Sequence, residues 1–497
     1  MGRLLSISLL CAAALFPSAV TAQQMDYLAR RQIEEEVARL ADPKAIATLA
    51  TDASAVMAEV GLAWDKTSGA DDPIAPFVPN SGAVLELVDI RLILTQIAIQ
   101  TGARDHVALV RAQGDRDHDV ILLRGGFTRF SDLLALSAGT PAQDFIKMGP
   151  RGLVLTRPLA IWSDAGLTVE AGDHLILDRP SGSFVANLGW LNVSGGKMSG
   201  SAGQNSAETA FRPFVITAGQ GSFTARDATF QALGFGEAPV FGGLSIANNG
   251  LVASRMASVV KGSTLHDVRT IGLIGTAGAV VSGNWIASST GTALLISGST
   301  DATVASNRFS ALSGTQAIRV TAGSVKVQVD GNLMSGETRT GILIDRESQN
   351  VIVAHNLVAS TLTTGITVDT STCVMLMNNL VAANGGSGIN LRDTDAVEVT
   401  DNAILFNSGS GVMVRDQAET AVVRVAGNVF IGNRDGLRGA TPGNLALSEN
   451  NMDGQITRMF AGDLSPLTVD WLRSRKDAPT QSVQALSPAP CAIQGNG

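Results

Sequence analysis

Charged side chains recur at one position of a repeated strand motif. The motifs GILID, GITVD, GINLR and GVMVR each begin with glycine, and their fifth residues are Asp345, Asp369, Arg392 and Arg415. Successive residues of a strand point to opposite faces, so the apolar second and fourth residues point inward and the third and fifth point outward. Carboxylates and guanidinium groups in such a column could bind an extended charged polymer, with arginine clamping its carboxylates.

The column continues towards the N-terminus through uncharged residues. Counting back two repeats from Asp345 gives Thr321 and then Ser297. Two interpretations stay open: the column is a wall of a polymer-binding groove, or its charges form pairs that solvate an exposed strand face. On the first interpretation, the candidate substrate-binding residues are Asp345, Arg346, Asp369, Arg392 and Arg415.

A second, asparagine-based repeat indicates the architecture that would position this column. Each asparagine follows an apolar, strand-like run such as VIVAHN, and successive members are 23 to 26 residues apart. This period predicts an all-β fold, a right-handed parallel β-helix with about three short strands per coil and coils ~4.8 Å apart. Asparagines stacked at a turn would satisfy buried backbone groups as a ladder. The repeated asparagines are Asn284, Asn307, Asn332, Asn356, Asn379, Asn402 and Asn428.

Other folds fit the spacing and composition less well. Leucine-rich repeats need a fixed leucine pattern that is absent, and a propeller blade needs about 40 residues or more. The glycine clusters follow no single strand–helix unit, which gives little support to a dinucleotide-binding fold. With 53 glycines, 4% aromatic and 16% charged residues, the chain is typical of many short strands and tight turns.

The chain is predicted to have four parts. Residues 1–22 have the basic start, apolar run and small-residue cleavage site of a signal peptide, which predicts export to a bacterial periplasm. Residues 23–118 are predicted to form a helical N-terminal cap region, 119–476 the β-helix and 477–497 a disordered tail. No later segment has the length and apolarity of a membrane span.

The charge and the cysteine content of the chain limit the classes of ligand and cross-link that we expect. Without Arg3 the chain has 35 basic and 44 acidic residues, a net charge of −9, and no basic run is interleaved with aromatics, so we do not expect nucleic-acid binding. Cys373 and Cys491 allow one disulfide, although their settings favour two unpaired thiols. The segment DRDHD at 115–119 lacks ligand spacing, and we predict neither a metal site nor a cofactor.

Several motifs, in order from about residue 119 to 475, resemble the periplasmic alginate-type mannuronan C5-epimerases. They include VILLRGGFTRFSDLLAL, TAFRPFVITAGQGSF, GILIDRESQNVIVAHN and GINLRDT. The resemblance matches Asp345 and Arg346 to the family's Asp-Arg coil and Arg392 to its arginine-bearing coil. It implies a parallel β-helix, a uronate-containing polysaccharide as ligand, a role in exopolysaccharide biosynthesis and a periplasmic secretion complex as a partner.

The catalytic motif of that family, Asp-Pro-His-Asp, is absent from the chain. Its histidine position falls on Ser297, its carboxylates on Leu295 and Gly298, and the family's neutralising arginine near Ala322. C5 epimerisation requires a base, stabilisation of the anion and reprotonation on the other face, and a serine hydroxyl alone supplies no base. His266, next to Asp267, is the weak candidate for a relocated base, whereas His355 is interpreted as a turn residue beside the asparagine ladder.

Three functions therefore remain open. The first is an enzyme that modifies a uronate polymer, as an epimerase or, with less support, a lyase. The second is a non-catalytic polysaccharide-binding guide or scaffold in a secretion complex. The third is a structural or adhesive β-helix, against which the ordered resemblance, including the F-R-P-F segment, argues.

Overall fold

The chain winds into a long three-sided solenoid, and the predicted parallel β-helix is confirmed. The structure is a computed structural model that describes residues 27–40, 48–64, 82–104, 106–112, 118–201, 211–252, 255–336, 338–455, 458–474 and 480–482. The predicted signal peptide lies outside these residues. Among them, no helix is long and apolar enough to span a membrane.

Each coil contributes one strand to each of three faces. Face 1 contains β2 (Asp119–Arg124), β6 (Leu159–Ile161), β9 (Val185–Asn187), β12 (Val215–Ala218), β15 (Gly243–Ala247), β18 (Thr270–Ile274), β21 (Leu294–Ser297), β24 (Gln316–Thr321), β27 (Thr340–Ile344), β34 (Ser410–Arg415), β37 (Asp435–Ala440) and β40 (Phe460–Gly462). Two long strands turn the corner and serve faces 1 and 2 together: β30 (Thr364–Met377) and β32 (Ile389–Thr400).

Faces 2 and 3 complete the coils. Face 2 contains β3 (Phe127–Arg129), β7 (Gly166–Glu170), β10 (Trp190–Ser194), β13 (Ser222–Arg226), β16 (Val259–Lys261), β19 (Val280–Ser282), β22 (Thr303–Ala305), β25 (Gln328–Asp330), β28 (Gln349–Ala354), β35 (Val422–Ala426), β38 (Asn444–Ser448) and β41 (Thr480–Ser482). Face 3 contains β4 (Ile146–Gly149), β5 (Gly152–Leu155), β8 (His174–Leu177), β11 (Lys197–Gly200), β14 (Thr229–Leu233), β17 (Thr264–Val268), β20 (Trp285–Ala287), β23 (Arg308–Ser310), β26 (Leu333–Ser335), β29 (Leu357–Ala359), β31 (Leu380–Ala382), β33 (Ala403–Leu405), β36 (Val429–Ile431) and β39 (Asn451–Gly454).

Inward-facing aliphatic and phenylalanine side chains fill the solenoid. Ile342, Ile344, Val351, Val353 and Val358, which come from the three faces of one coil, are all fully buried in a single continuous core. Because these positions alternate with outward-facing ones, the period-two pattern of each short strand decides which side chains enter the core.

The predicted asparagine ladder lies at the corner between faces 2 and 3. Each asparagine donates from Nδ2 to the Oδ1 of the next, over 2.8–3.0 Å from Asn284 to Asn450. A second ladder, at the corner between faces 3 and 1, runs through Thr361, Asn384, Asn407, Asn433 and Gln455. Both ladders are buried, so they satisfy the backbone groups that the turns remove from the strand pairing.

The helical N-terminal region is confirmed, and its helices lie along the sides of the solenoid. Helices α1 (Tyr27–Leu40) and α2 (Leu49–Glu59) pack on the outer side of face 3, whose outward residues there, such as Leu357 and Leu380, are apolar and require cover. Helices α3 (Ile90–Thr101) and α4 (His106–Ala112) pack on the first coils of face 1. The same region also contains a strand, β1 (Val84–Asp89), which pairs antiparallel with β2.

Short elements close both ends of the core. At the first coil, α5 (Leu133–Ser137) and Ile146 pack over it, and at the last coil Leu464 and α6 (Leu467–Ser474) do so. Of the predicted tail over 477–497, the structure describes only β41, which pairs antiparallel with β38 at the strand edge of the last coil. Cys373 is disulfide-bonded, so the expectation of an unpaired thiol there is wrong.

Candidate functional site

The pairing register of face 1 aligns the column that the sequence predicts. Ser297 lies opposite Thr321, Asp369 opposite Arg392, and Arg392 opposite Arg415. Asp345 takes its place between Thr321 and Asp369, because the residue before it, at 344, pairs with positions 320 and 368. We call these six residues the charged column.

Two carboxylates of the charged column are each held by an arginine fork. Arg319 donates to Asp345 from Nε over 3.3 Å and from Nη2 over 2.6 Å. Arg392 donates to Asp369 from Nε over 2.9 Å and from Nη2 to the second oxygen. The hydrogen bonds to Asp369 and the charge of that carboxylate raise the pKa of Arg392 above its ordinary value. Bidentate pairs of this kind fix the orientation of both side chains.

Arg319 is a residue that sequence reasoning missed. It is the third residue of the motif AIRVT, one coil before GILID, and it points outward beside the charged column. The alternation that places the fifth residue outward applies equally to the third, and this is the signal that could have identified it.

Arg415 and Arg346 are less neutralised than the two forked arginines. Arg415 donates from Nε to the Asn390 side chain over 3.2 Å and from Nη1 to Asp416, also over 3.2 Å. Arg346 is exposed at the corner after Asp345, where its φ of 53° takes it out of the strand. Among the described residues, it has no ion pair.

The row of charges on face 1 ends in a cluster that the sequence did not reveal. Arg434, Arg438 and Arg458 surround Asp435 at 3.7, 3.3 and 3.4 Å, and the Asp435 side chain is only 1% exposed. Arg438 lies opposite Met413 in the preceding coil, so the cluster continues the outward side of face 1. Three guanidinium groups against one carboxylate leave this basic cluster with a net charge of +2.

Among the residues whose side chains the structure describes, no histidine lies at the charged column. His266, the candidate for a relocated base, lies in β17 on face 3, where Nε2 is 3.5 Å from Ser288 Oγ. His355 occupies the corner between faces 2 and 3, as interpreted from the sequence, and its Nδ1 is 2.8 Å from Asp330 Oδ1. His174 also lies on face 3, and burial lowers its pKa below the ordinary value.

The chain therefore combines a parallel β-helix with an outer face of register-aligned arginines and carboxylates, ending in a basic cluster. A family model described as periplasmic copper-binding protein (NosD) matches residues 247–458. No curated protein matches the chain.

Solved structures with the same fold include alginate epimerases. The periplasmic alginate epimerase AlgG superposes with a TM-score of 0.63 at 17% identity, over 79% of this chain and 98% of that one. A double mutant of AlgG gives 0.64 at 18%, over 77% and 99%. The A-module of the Azotobacter vinelandii mannuronan C-5 epimerase AlgE4 gives 0.43 at 15%, over 61% and 87%. The two AlgG structures confirm the resemblance inferred from sequence motifs as a likeness of fold.

The residues present do not fit a copper site. Within 247–458 the only histidines are His266 and His355, which belong to coils four steps apart, roughly 19 Å at ~4.8 Å per coil. Cys373 is disulfide-bonded and so offers no thiolate. Among the described residues, no group of three His, Cys, Asp or Glu side chains could hold a metal ion.

Proposed function

We propose that this protein binds an anionic, uronate-containing polysaccharide along face 1 and guides it without epimerising it. The observation that carries the proposal is the charged column, in which arginines and carboxylates stand in register over successive coils and none of the six aligned residues is a histidine. Coils repeat every ~4.8 Å, a spacing close to the length of one sugar ring, so an extended polymer can meet one coil per residue.

The charges of the face suit a polymer that carries carboxylates. Arg319 and Arg392 are positioned by their aspartates, so they present fixed donors and lose little side-chain freedom on binding. The basic cluster has three arginines around one aspartate, and Arg415, which is paired with Asp416, can offer further donors to a ligand. The aspartates accept hydrogen bonds and can accept further ones from sugar hydroxyls.

Chemistry on the polymer is disfavoured by the residues at the expected catalytic coil. Removing the C5 proton of a uronate needs a group with a pKa near the working pH. Ser297 and Thr321 offer only hydroxyls, and the histidines at 266 and 355 lie on other parts of the solenoid. An epimerase remains the second candidate, because AlgG, an alginate epimerase, has the same fold.

A periplasmic location and a place in a polysaccharide secretion complex are part of the proposal. The sequence begins with a segment of signal-peptide character, and both AlgG and the matched NosD family are described as periplasmic. A guide of this kind would keep a nascent anionic chain extended on its way to export.

The proposal is tested by measuring binding and proton exchange on the same samples. Purified protein is titrated with polymannuronate and with neutral dextran, and C5 deuteration of polymannuronate is followed by NMR in D2O. We expect binding of polymannuronate only, about tenfold weaker in Arg392→Ala and Arg415→Ala, with no deuteration.

Arg424→Ala is the matched control, because Arg424 is an exposed arginine of face 2 that pairs with Glu398 over 3.5 Å. An equal loss of affinity in Arg424→Ala would show that the weaker binding of the face 1 variants comes from the change in net charge and not from a site on face 1. Deuterium incorporation would show that the protein acts as an epimerase and not as a guide. If it binds no uronate polymer, a structural role for the β-helix would be favoured.

A further inference from the structure

The outer side of face 3 changes character halfway along the solenoid. One outward column runs through Lys197, Thr229, Thr264, Trp285 and Arg308, and then continues through Leu333, Leu357 and Leu380. The leucine part is buried under α1 and α2. The earlier part, from Lys197 to Arg308, carries polar and charged residues around one indole, and we call it the indole surface.

Trp285 is the unusual feature of the indole surface. Its side chain is large and apolar, yet 46% of the residue is exposed. The indole Nε1 donates to Ser310 Oγ over 2.9 Å, and Ser310 is itself buried in the next coil. The ring is therefore held in one orientation on a rigid strand, and it presents a fixed apolar plane to solvent. Tryptophan in this setting, with one bonded edge and one open face, is typical of binding surfaces.

The column of the indole surface contains two cations: Arg308, next to Trp285, and Lys197, three coils before it. Arg308 lies directly opposite Trp285 in the strand register and is exposed. Lys197 lies four coils from Arg308 in the same column, roughly 19 Å at ~4.8 Å per coil. Within the described part of the chain, neither forms an ion pair. The nearby Asp267 is occupied by Arg212 at 2.9 Å.

The second outward column of the indole surface supplies neutral hydrogen-bonding groups. It runs through Ser199, Gln231, His266 and Ser310, with Ala287 as a gap beside the indole. Ser199 and Ser310 are buried, and their hydroxyls are hydrogen-bonded to His174 and Trp285. Gln231 and His266 are not buried, and their amide and imidazole groups both donate and accept, which matches the hydroxyls of a sugar.

We propose that the indole surface is a second binding site for anionic polysaccharide, in which Trp285 stacks on a sugar ring and Arg308 binds a carboxylate of that sugar or its neighbour. The ligand class rests on the function proposed for face 1, whereas the site is on a different side of the solenoid. The distance between Lys197 and Arg308 requires an extended oligomer to contact both. Two sites on one rigid rod would hold a long polymer more tightly than either alone.

The test uses the indole N–H of Trp285 as a local probe. The protein is labelled with 15N-indole tryptophan, the Trp285 resonance is assigned by its loss in Trp285→Phe, and hexamannuronate or neutral cellohexaose is titrated in. We expect hexamannuronate alone to shift the Trp285 resonance, and the affinity measured from that shift to fall about tenfold in Arg308→Gln.

Paired variants separate this proposal from the one for face 1. Arg415→Ala is expected to leave the Trp285 shift unchanged, and Trp285→Ala to leave binding at face 1 unchanged. An unshifted Trp285 resonance with intact binding at face 1 would overturn the indole surface only. The Trp285 resonance could also disappear as the protein concentration is raised, with dimers detected by sedimentation. That result would show that the indole surface binds a second copy of the chain, and it would also overturn the proposal.

Discussion

Asn356 shows at residue scale why polar side chains recur within apolar sequence. Its Nδ2 donates to the Val329 carbonyl over 2.8 Å and to Asn379 Oδ1 over 3.0 Å, and its Oδ1 accepts from the Asn332 backbone N–H over 2.9 Å. The side chain is fully buried, so each of these partners would lose its hydrogen bond without access to water. The asparagine is therefore required by the turn and not by a ligand.

Replacing this asparagine is predicted to destabilise the solenoid locally. Asn356→Ala should lower the free energy of unfolding by about 3 kcal/mol, because several buried groups are left unsatisfied. The measurement is urea unfolding followed by circular dichroism. Asn192→Ala is the control, since Asn192 lies on the outward side of β10 and is partly exposed; a similar loss in both variants would contradict the role given to the ladder.

At element scale, the contact between α1 and α2 contains a pair of carboxylates. Burial, a hydrogen bond with Glu36 and the charge of Glu36 together raise the pKa of Glu59 to about 6. Glu36 also lies 3.4 Å from Arg39 on its own helix. A folded-state pKa above the unfolded value means that the folded protein binds the proton more tightly. The stability from this proton is complete below about pH 4.5 and is lost as the pH rises through about 6.

Neutralising Glu59 is therefore predicted to remove the pH dependence of stability that arises at the contact between α1 and α2. Glu59→Gln should unfold at a higher temperature than the unmodified chain at pH 8 and at a similar temperature at pH 5. The gain should be at most about 1 kcal/mol, because water screens the partly exposed pair. Thermal unfolding at both pH values checks this. Glu34→Gln, at an exposed position of α1, should change neither melt; a higher unfolding temperature there would point to net charge instead.

At the scale of the whole molecule, a solenoid depends on the closure of its ends. Trp471 of α6 packs its ring against Phe460 of the last face 1 strand, with ring centroids 5.8 Å apart. Repeat folds need such terminal elements because an open last coil exposes both the core and unpaired strand edges.

Removal of this closing contact is predicted to cause association as well as destabilisation. Trp471→Ala should lower stability by about 2 kcal/mol, less than a fully buried tryptophan would, and should produce dimers that increase with concentration. Thermal unfolding and light scattering after size-exclusion chromatography measure both effects. Leu472→Ala, which removes an exposed neighbour, should do neither; a monomeric Trp471→Ala variant of normal stability would show that the end is closed by other contacts.

The amino-acid sequence determined the solenoid, the asparagine ladder and the alignment of Asp345, Asp369, Arg392 and Arg415 on one face. Each of these follows from a repeat of nearly constant length, because a coil of fixed geometry returns the chain to the same position every 23 to 26 residues. The same coil count carries the prediction that Ser297 stands at the histidine position of the family that the motifs resemble.

The contacts that follow no repeat depend on how distant parts of the chain pack in the folded molecule. The fork from Arg319 to Asp345 and the arginines around Asp435 depend on which outward side chains reach across coils. The position of α1 and α2 depends on packing between segments far apart in the chain, as in the hydrogen bond from Ser335 to the Leu40 carbonyl. The pattern of a repeat contains no information about which non-repeating segment covers it, so those contacts are set by burial of apolar surface in the folded molecule.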